Sequence, residues 1–156
     1  MRGVVSVNIS LTRCLRARKE LRFHHRVFTG TANQFLDVNT RIALLQCAEV
    51  FVLPSLVEGL SIALLEAMAC QCACVATDAG ADGEVLAGGA GIVLSTQGVT
   101  TQLRTLLPVL RDQPLLTQEL GRRARERVME RYRMVSNIDA LEELYETLIA
   151  KKALAA

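Results

Sequence analysis

The stretch VFVLPSLVEGLSIALLEAMAC, residues 50–70, decides the fold that the rest of the chain is expected to adopt. Its first four residues are apolar and end at a proline, which is typical of a strand covered on both faces. Glu58 and Gly59 then supply a turn, and Ser61 is a candidate N-cap for an apolar helix. The stretch therefore predicts a buried strand, a turn that carries a carboxylate, and a helix that contains a second carboxylate, Glu66.

The bulk composition indicates one folded globular domain over residues 1–156. The chain is 51% hydrophobic and 22% charged, which argues against disorder and suffices for a core. A net charge of +2 and 4% aromatic residues argue against nucleic-acid binding, since few side chains could stack on bases. The sequence shows neither a transmembrane-length apolar window nor a signal-peptide core, so we expect no transmembrane segment and a cytoplasmic location.

Strands and helices are predicted to alternate along the chain. Besides the central strand, short strands are predicted at Val4–Val7, Arg26–Gly30, Cys72–Thr77 and Gly91–Leu94. Besides the central helix, helical spacing is found over Leu11–Arg22, Asn39–Ala48, Glu84–Leu86, Val99–Arg111, from Pro114 onward and over Ile138–Leu148. Apolar strands that alternate with helices predict the α/β class: a Rossmann-like parallel sheet with helices on both faces.

Turn-rich segments follow three of the predicted strands. They are Gly30, Pro54–Ser61 and Asp78–Glu84. In a parallel sheet, ligands bind outside the carboxyl ends of the strands. We therefore expect these three segments to meet at one edge and to form the functional site.

The turn Glu58–Ser61 is a candidate anion site. A helix that begins there exposes unpaired backbone N–H groups, which together with the helix dipole favour a phosphate or diphosphate. An ordinary strand-to-helix turn without a ligand would have the same sequence pattern. The turn alone leaves both interpretations open.

Glu66 lies further along the same predicted helix, in a row of alanine, leucine and methionine. A buried carboxylate is costly unless something donates a hydrogen bond to it. The hydroxyls of a ribose 2′,3′-diol would supply such donors. The alternative is an ordinary exposed helix glutamate.

Other polar clusters are weaker candidates. Cys70, Cys72 and Cys74 do not have the spacing of a zinc site and are interpreted as core thiols, with a metal or redox role as the alternative. His24–His25 lacks further ligands at metal spacing. Arginines crowd one later helix, over residues 122–133, which predicts a covering helix with a basic solvent face.

At these residues the chain resembles the C-terminal, nucleotide-sugar-binding domain of retaining GT-B glycosyltransferases of family 4, the glycosyl transferase group 1 domain. The resemblance runs from about Arg26 to Ile149 and includes the family's Glu-x7-Glu pair, Glu58 and Glu66. It implies that this chain is one half of a GT-B fold. It also implies transfer of a hexose from a nucleotide sugar, a UDP- or GDP-hexose, with retention of anomeric configuration.

The resemblance assigns roles to individual residues. Glu58 would be the catalytic residue near the donor sugar at the reacting carbon. The backbone amides of Gly59, Leu60 and Ser61 would hold the diphosphate, and Glu66 would accept hydrogen bonds from the ribose. Stabilising the departing diphosphate would be the main electrostatic task, and no metal or other cofactor is required in that scheme.

Several family features are absent from the sequence. Gln71 and Ala73 stand where the family usually has Gly and Pro, and Ala81 replaces a loop glycine. The acceptor-binding N-terminal domain, the first strand and the basic residues that neutralise the diphosphate are expected to be missing. The resulting free sheet edges would be closed either by Val4–Val7 or by strand exchange in a homodimer.

Two functions are therefore expected from the sequence. The first is a truncated donor-binding domain that is inactive alone. The second is a structural or protein-interaction module of the same fold that binds no nucleotide. Salt-dependent nucleic-acid binding is the least favoured interpretation.

Overall fold

The computed structural model describes residues 5–9, 27–30 and 37–154, with side chains over residues 37–152. Its strands are β1 (Val5–Ile9), β2 (Val27–Gly30), β3 (Ala48–Leu53), β4 (Ala73–Thr77) and β5 (Ile92–Leu94). Its α-helices are α1 (Val38–Cys47), α2 (Ile62–Ala69), α3 (Asp82–Leu86), α4 (Val99–Asp112), α5 (Pro114–Arg131) and α6 (Met134–Leu154). The helix predicted over Leu11–Arg22 and the pair His24–His25 lie outside the described residues.

The five strands form one sheet in the order β2-β1-β3-β4-β5. The strands β3, β4 and β5 are parallel, with Phe51 opposite Cys74 and Val75 opposite Ile92, so the predicted α/β class is confirmed. The strand β1 pairs with the free edge of β3, where Val4–Val7 was expected to close the sheet.

The direction of β1 differs from the expectation of a wholly parallel sheet. It runs antiparallel to both β3 and β2. The free edge of a strand offers N–H and C=O groups that can pair with a neighbour of either direction. An apolar pattern therefore predicts a strand without predicting which way it runs.

Helices cover both faces of the sheet, as predicted, because β3 and β4 bury side chains on each side. On one face Phe51 and Leu53 join a core with α1, α2, α3 and α5. On the other face Val50 and Val52 pack in a second core that includes Leu110 of α4. Burying each such side chain contributes about 1.5–3 kcal/mol, so β3 anchors both layers.

The helix α2 begins and ends at well-defined residues. Ser61 is the predicted N-cap, and its Oγ accepts a hydrogen bond from the Leu64 N–H at 3.4 Å. The helix buries Leu64, Ala67 and Met68 against the sheet. At its other end the chain turns through Gln71, whose φ of 67° is in the left-handed region. This packing fixes the direction in which the N-terminus of α2 faces the edge of the sheet.

The helix α5 has the basic solvent face that the sequence predicted. It buries Gly121, Ala124 and Val128, whereas Arg122 pairs with Glu119 on the exposed side. Two further arginines donate hydrogen bonds to carbonyls of other elements: Arg125 to the Ala69 oxygen and Arg127 to the Glu84 oxygen. The arginines are therefore used within the fold as well as on its surface.

The helix α6 has apolar residues at helical spacing that are exposed in the described structure. They are Met134, Val135, Ile138, Leu141, Leu144, Tyr145, Leu148 and Ile149. Among the described helices, none combines the length and the apolar character needed to cross a membrane.

Candidate functional site

The segment that follows β3 and the segment that follows β4 meet at the carboxyl edge of the sheet, as expected. The Thr77 hydroxyl, at the end of β4, donates to the backbone carbonyl of Ser55. The Ala81 N–H donates to the Gly59 carbonyl at 2.8 Å. Residues 54–61, here called the Glu58 turn, are thus held by the loop that begins at Asp78. The third predicted segment contributes Gly30, which the structure describes only as the end of β2.

Gly80 brings the loop against the Glu58 turn. Its φ is 59°, and a Cβ atom at this position would lie 2.1 Å from the Glu58 carbonyl oxygen and 2.4 Å from that of Gly59. No side chain can occupy that space without moving the backbone of the turn. The contact therefore requires glycine both for its left-handed conformation and for its size.

Glu58 is partly exposed at this edge. The Ser55 hydroxyl donates a hydrogen bond to its Oε1 at 2.8 Å. This bond restricts the rotamers of the carboxylate while leaving it reachable from outside. A carboxylate held in this way can stabilise positive charge that develops on a bound molecule.

The three backbone amides that were expected to hold a diphosphate differ in the structure. The N–H groups of Gly59 and Leu60, both exposed residues, make no hydrogen bond within residues 37–154. The Ser61 N–H, in contrast, donates to Asp82 Oδ1 at 3.2 Å. Two amides are therefore open to an anion, whereas the third already donates to a carboxyl group of the protein.

Asp82 lies in the segment Asp78–Glu84 that was expected at this edge, although the sequence did not single it out as a site residue. It is fully buried, and its Oδ2 has no hydrogen-bond partner within residues 37–154. Burial raises the pKa of this carboxyl, the Ser61 N–H opposes the rise, and the charge of Glu58 adds to it. The base of the Glu58 turn thus contains a carboxyl group that is costly to ionise.

Glu66 lies on α2 and is paired with Arg41, a residue of α1. Arg41 Nη2 and Glu66 Oε1 are 2.8 Å apart, with side chains that are 24% and 30% exposed. Glu66 is therefore neither a buried carboxylate awaiting a ligand nor a free surface residue. The sequence contains no signal for this pair, because the two residues are 25 positions apart.

The cysteines of the Cys70–Cys74 segment were interpreted from the sequence as core thiols, and they pack in or against the core. Cys72 and Cys74 are fully buried in the core, and burial raises the pKa of the Cys74 thiol well above its ordinary value. Burial, followed by the charge of Glu66, also raises the pKa of Cys70. Within the described residues, no three histidine, cysteine or acidic side chains come together as a metal site.

A cleft lies at the opposite edge of the sheet, beside the end of α2. It is lined in part by Glu49, Gln71, Arg111 and Gln118. None of these residues was a candidate from the sequence. Because ligands in open α/β sheets bind at the carboxyl ends of strands, the Glu58 turn remains the preferred site.

A family profile and several curated proteins match this chain. The profile described as "Glycosyl transferases group 1" matches residues 11–112. Alpha-maltose-1-phosphate synthase of Mycolicibacterium smegmatis is 34% identical over 113 residues, which cover 69% of this chain and 29% of that protein. MMP alpha-(1->4)-mannosyltransferase of Mycolicibacterium hassiacum is 38% identical over 112 residues, which cover 71% of this chain and 27% of that protein.

Solved structures show the same similarity. Sucrose-phosphate synthase from Thermosynechococcus elongatus superposes with a TM-score of 0.64 at 25% identity, over 70% of this chain and 28% of that one. The C-terminal domain of a glycosyl transferase group 1 family protein (LpcC) from Francisella tularensis gives a TM-score of 0.57 at 26% identity, over 63% and 50%. The matched part of this chain corresponds to less than a third of the length of the maltose-1-phosphate synthase and of the mannosyltransferase.

Proposed function

The chain belongs to the glycosyl transferase group 1 family, and we propose that its carboxyl edge binds the nucleotide-sugar donor of a hexosyl transfer reaction. The observation that carries this proposal is the pair of amides of Gly59 and Leu60, which directly precede the N-cap of α2 and make no hydrogen bond within residues 37–154. They lie between two held carboxylates, Glu58 and Glu66. This arrangement offers an anion site with a hydroxyl acceptor on the same helix.

The diphosphate is assigned to the start of α2. Unpaired N–H groups and the positive end of the helix dipole favour an anion there, and the dipole contributes about 0.3–1 kcal/mol per charge in exposed sites. Gly59 and Leu60 would donate directly. Ser61 would donate only if its N–H leaves Asp82. The proposal therefore depends more on the first two amides than on the third.

The nucleoside is assigned to Glu66. Its Oε1 is held by Arg41, and its Oε2 has no hydrogen-bond partner within residues 37–154. An ionised carboxylate accepts hydrogen bonds only, which suits a vicinal diol such as the ribose 2′,3′-hydroxyls. The nucleotide would then extend along the outer face of α2, from its N-terminus toward Glu66.

Glu58 is assigned to the sugar. A glycosyl transfer develops positive charge at the anomeric carbon while the diphosphate departs with negative charge. The Glu58 carboxylate, oriented by Ser55, would stabilise the first, and the Gly59 and Leu60 amides would stabilise the second. We propose that the anomeric configuration is retained and that the donor is a UDP- or GDP-hexose.

The acceptor site is not assigned to any residue of this chain. The relatives named above are more than three times as long as the segment they share with it. We therefore propose that the described domain binds a donor without turning it over by itself. The acceptor would be bound by a partner domain that faces the Glu58 turn.

A second candidate function is a structural or interaction module that binds no nucleotide. The observation that favours it is the pair of acidic groups at the turn, Glu58 and the buried Asp82. Two carboxyl groups beside the amides would repel a diphosphate unless one of them is protonated. The two functions therefore differ in one measurable property, the affinity for a nucleotide diphosphate.

Isothermal titration calorimetry with UDP and GDP separates the two functions. We expect the wild type to bind one of them, and Glu66→Ala to weaken that binding by about ten- to a hundredfold, since hydrogen bonds to charged groups contribute about 1.5–3 kcal/mol. Glu143→Ala, on the exposed surface of α6, is the matched control and should bind as the wild type does. A folded wild type that binds neither nucleotide would support the interaction module instead.

A further inference from the structure

We propose that Arg41 is a positioning residue that lets Glu66 distinguish ribose from 2′-deoxyribose. The inference rests on the proposed function, because it assigns a selectivity to the same nucleoside site. Arg41 would not contact the nucleotide. It would act by holding the Glu66 carboxylate in the orientation that accepts the 2′-hydroxyl.

The position of Arg41 is fixed by the start of its helix. Asp37 is the N-cap of α1, and its Oδ1 accepts hydrogen bonds from the N–H groups of Asn39 and Thr40. The Arg41 N–H donates to the Asp37 carbonyl at 3.0 Å. The guanidinium therefore extends toward α2 from the first turn of a well-anchored helix.

The guanidinium holds Glu66 by one oxygen only. Arg41 Nη2 donates to Oε1, and Oε2 has no hydrogen-bond partner within residues 37–154. A bidentate pair would engage both oxygens and leave fewer lone pairs for a ligand. The observed geometry restricts the rotamer of Glu66 and keeps Oε2 available. The Glu66 side chain therefore loses little conformational entropy when a diol binds.

A second atom of the guanidinium, Nε, is in an unfavourable environment. Arg41 Nε is buried and has no hydrogen-bond partner within residues 37–154. A buried unsatisfied donor is costly, and such groups in folded proteins call for an explanation beyond packing. In this orientation Nε is buried while Nη2 donates to Glu66. The single hydrogen bond from Arg41 to Glu66 thus occurs together with a buried N–H group that has no partner within residues 37–154.

A purely structural ion pair makes a different prediction. If Arg41 only ties α1 to α2, its removal changes the affinity for every nucleotide by the same factor. If Arg41 orients Glu66, its removal lowers the affinity for the ribonucleotide more than that for the 2′-deoxy nucleotide. The ratio of the two affinities therefore reports the positioning role and is insensitive to a general loosening of the fold.

The test is calorimetric titration of the wild type, Arg41→Gln and Arg41→Lys with UDP, dUDP, GDP and dGDP, and with inorganic pyrophosphate. We expect the wild type to prefer one ribonucleotide over its 2′-deoxy form by at least about tenfold. Arg41→Gln should bring that ratio close to one and leave pyrophosphate binding unchanged, whereas Arg41→Lys should restore part of the ratio. Arg111→Gln, which removes another arginine–carboxylate pair, is the control and should keep the full ratio.

The outcomes separate this inference from the proposed function. If the wild type binds nucleotides and Arg41→Gln leaves the ratio of ribonucleotide to 2′-deoxynucleotide affinity unchanged, the role of Arg41 is overturned. The proposed function is then unaffected. A wild type that binds no nucleotide overturns the proposed function and the inference together. Thermal unfolding of each variant shows whether the protein is folded. If Arg41→Gln is unfolded, the affinity ratio of Arg41→Lys is compared with that of the wild type instead.

Discussion

At both ends of α2 a glycine from another part of the chain lies against the backbone of the adjoining turn. At the N-terminal end this is Gly80, where a Cβ would lie 2.1 Å from the Glu58 carbonyl oxygen. At the C-terminal end it is Gly121 of α5, where a Cβ would lie 2.2 Å from the Gln71 carbonyl oxygen. The two contacts are of the same kind and are equally close.

The two ends differ in how their polar groups are satisfied. At the C-terminal end the Cys72 N–H donates to the Ala67 carbonyl, and Arg125 donates to the Ala69 carbonyl. At the N-terminal end the described structure leaves the Gly59 and Leu60 amides open and Asp82 Oδ2 without a partner. The polar groups at the C-terminal end are thus hydrogen-bonded within the protein, whereas groups at the N-terminal end remain available to a ligand. This difference is the physical basis of the proposed donor site.

The largest expected effect is at the N-terminal end. In Gly80→Ala the left-handed backbone costs about 1–2 kcal/mol and the clash with the Glu58 turn about 1–3 kcal/mol more, so we expect a loss of about 3 kcal/mol in the free energy of unfolding. Gly98→Ala is the matched control, since Gly98 has a φ of 66° and open space around it. Urea unfolding should give a loss of only about 1 kcal/mol there. Equal losses in the two variants would show that the contact of Gly80 with the turn is unimportant.

Gly121→Ala breaks the corresponding contact at the C-terminal end. Alanine gains about 1 kcal/mol over glycine inside a helix, but the clash with Gln71 costs about 1–3 kcal/mol, so a net loss of about 1 kcal/mol is expected. Calorimetry on the folded variant should find its nucleotide affinity unchanged. An affinity that falls with the stability would mean that the two ends are not separate in function.

Asp82→Asn tests the buried carboxyl beneath the N-terminal end. Because burial raises the pKa of Asp82 above the unfolded value of 3.8, the folded state holds its proton while the unfolded state releases it, and stability falls as pH rises from 3.8 through the raised pKa. The stability of the wild type relative to Asp82→Asn should therefore decrease between about pH 4 and about pH 7. Urea midpoints of both proteins at the two pH values measure this. A relative stability that rises with pH would contradict the assignment.

The smallest effect is expected for Gln71→Gly. Glycine relieves a left-handed cost of about 1–2 kcal/mol but adds about 0.4–1 kcal/mol of unfolded-state entropy, which leaves a gain of about 0.5 kcal/mol. Urea unfolding should show this small stabilisation, with no change in nucleotide affinity. A loss of about 1 kcal/mol or more would instead assign the Gln71 side chain a stabilising role beside the cleft.

The local features of the fold could be predicted from the sequence. The strand β3, the N-cap Ser61 and the proline that begins α5 each depend on a few neighbouring residues, and each lies where it was expected. The antiparallel direction of β1 could not be predicted, because strand pairing through backbone groups is insensitive to the side-chain pattern.

The candidate site was predictable in its residues but not in their partners. Glu58 and Glu66 stand out as carboxylates in an apolar stretch. Their environment depends on Asp82 and Arg41, which come from other elements, 21 positions from Ser61 and 25 positions from Glu66. The sequence predicted that the segment containing Asp82 lies at this edge, but no pattern singled out Asp82 within it, and none indicated Arg41. The same limit applies to α6, whose apolar spacing predicts a helix but not whether that face is covered.

The most direct test of the donor site is a titration of the ¹⁵N-labelled protein with UDP and with GDP, followed by amide NMR spectra. We expect the largest shifts at Gly59 and Leu60, with smaller shifts along α2 to Glu66. The amides of Gln71 and Cys72, at the other end of the same helix, should remain unchanged. Shifts concentrated at Gln71 and its cleft, or no shifts with either nucleotide, would show that the Glu58 turn is not a donor site.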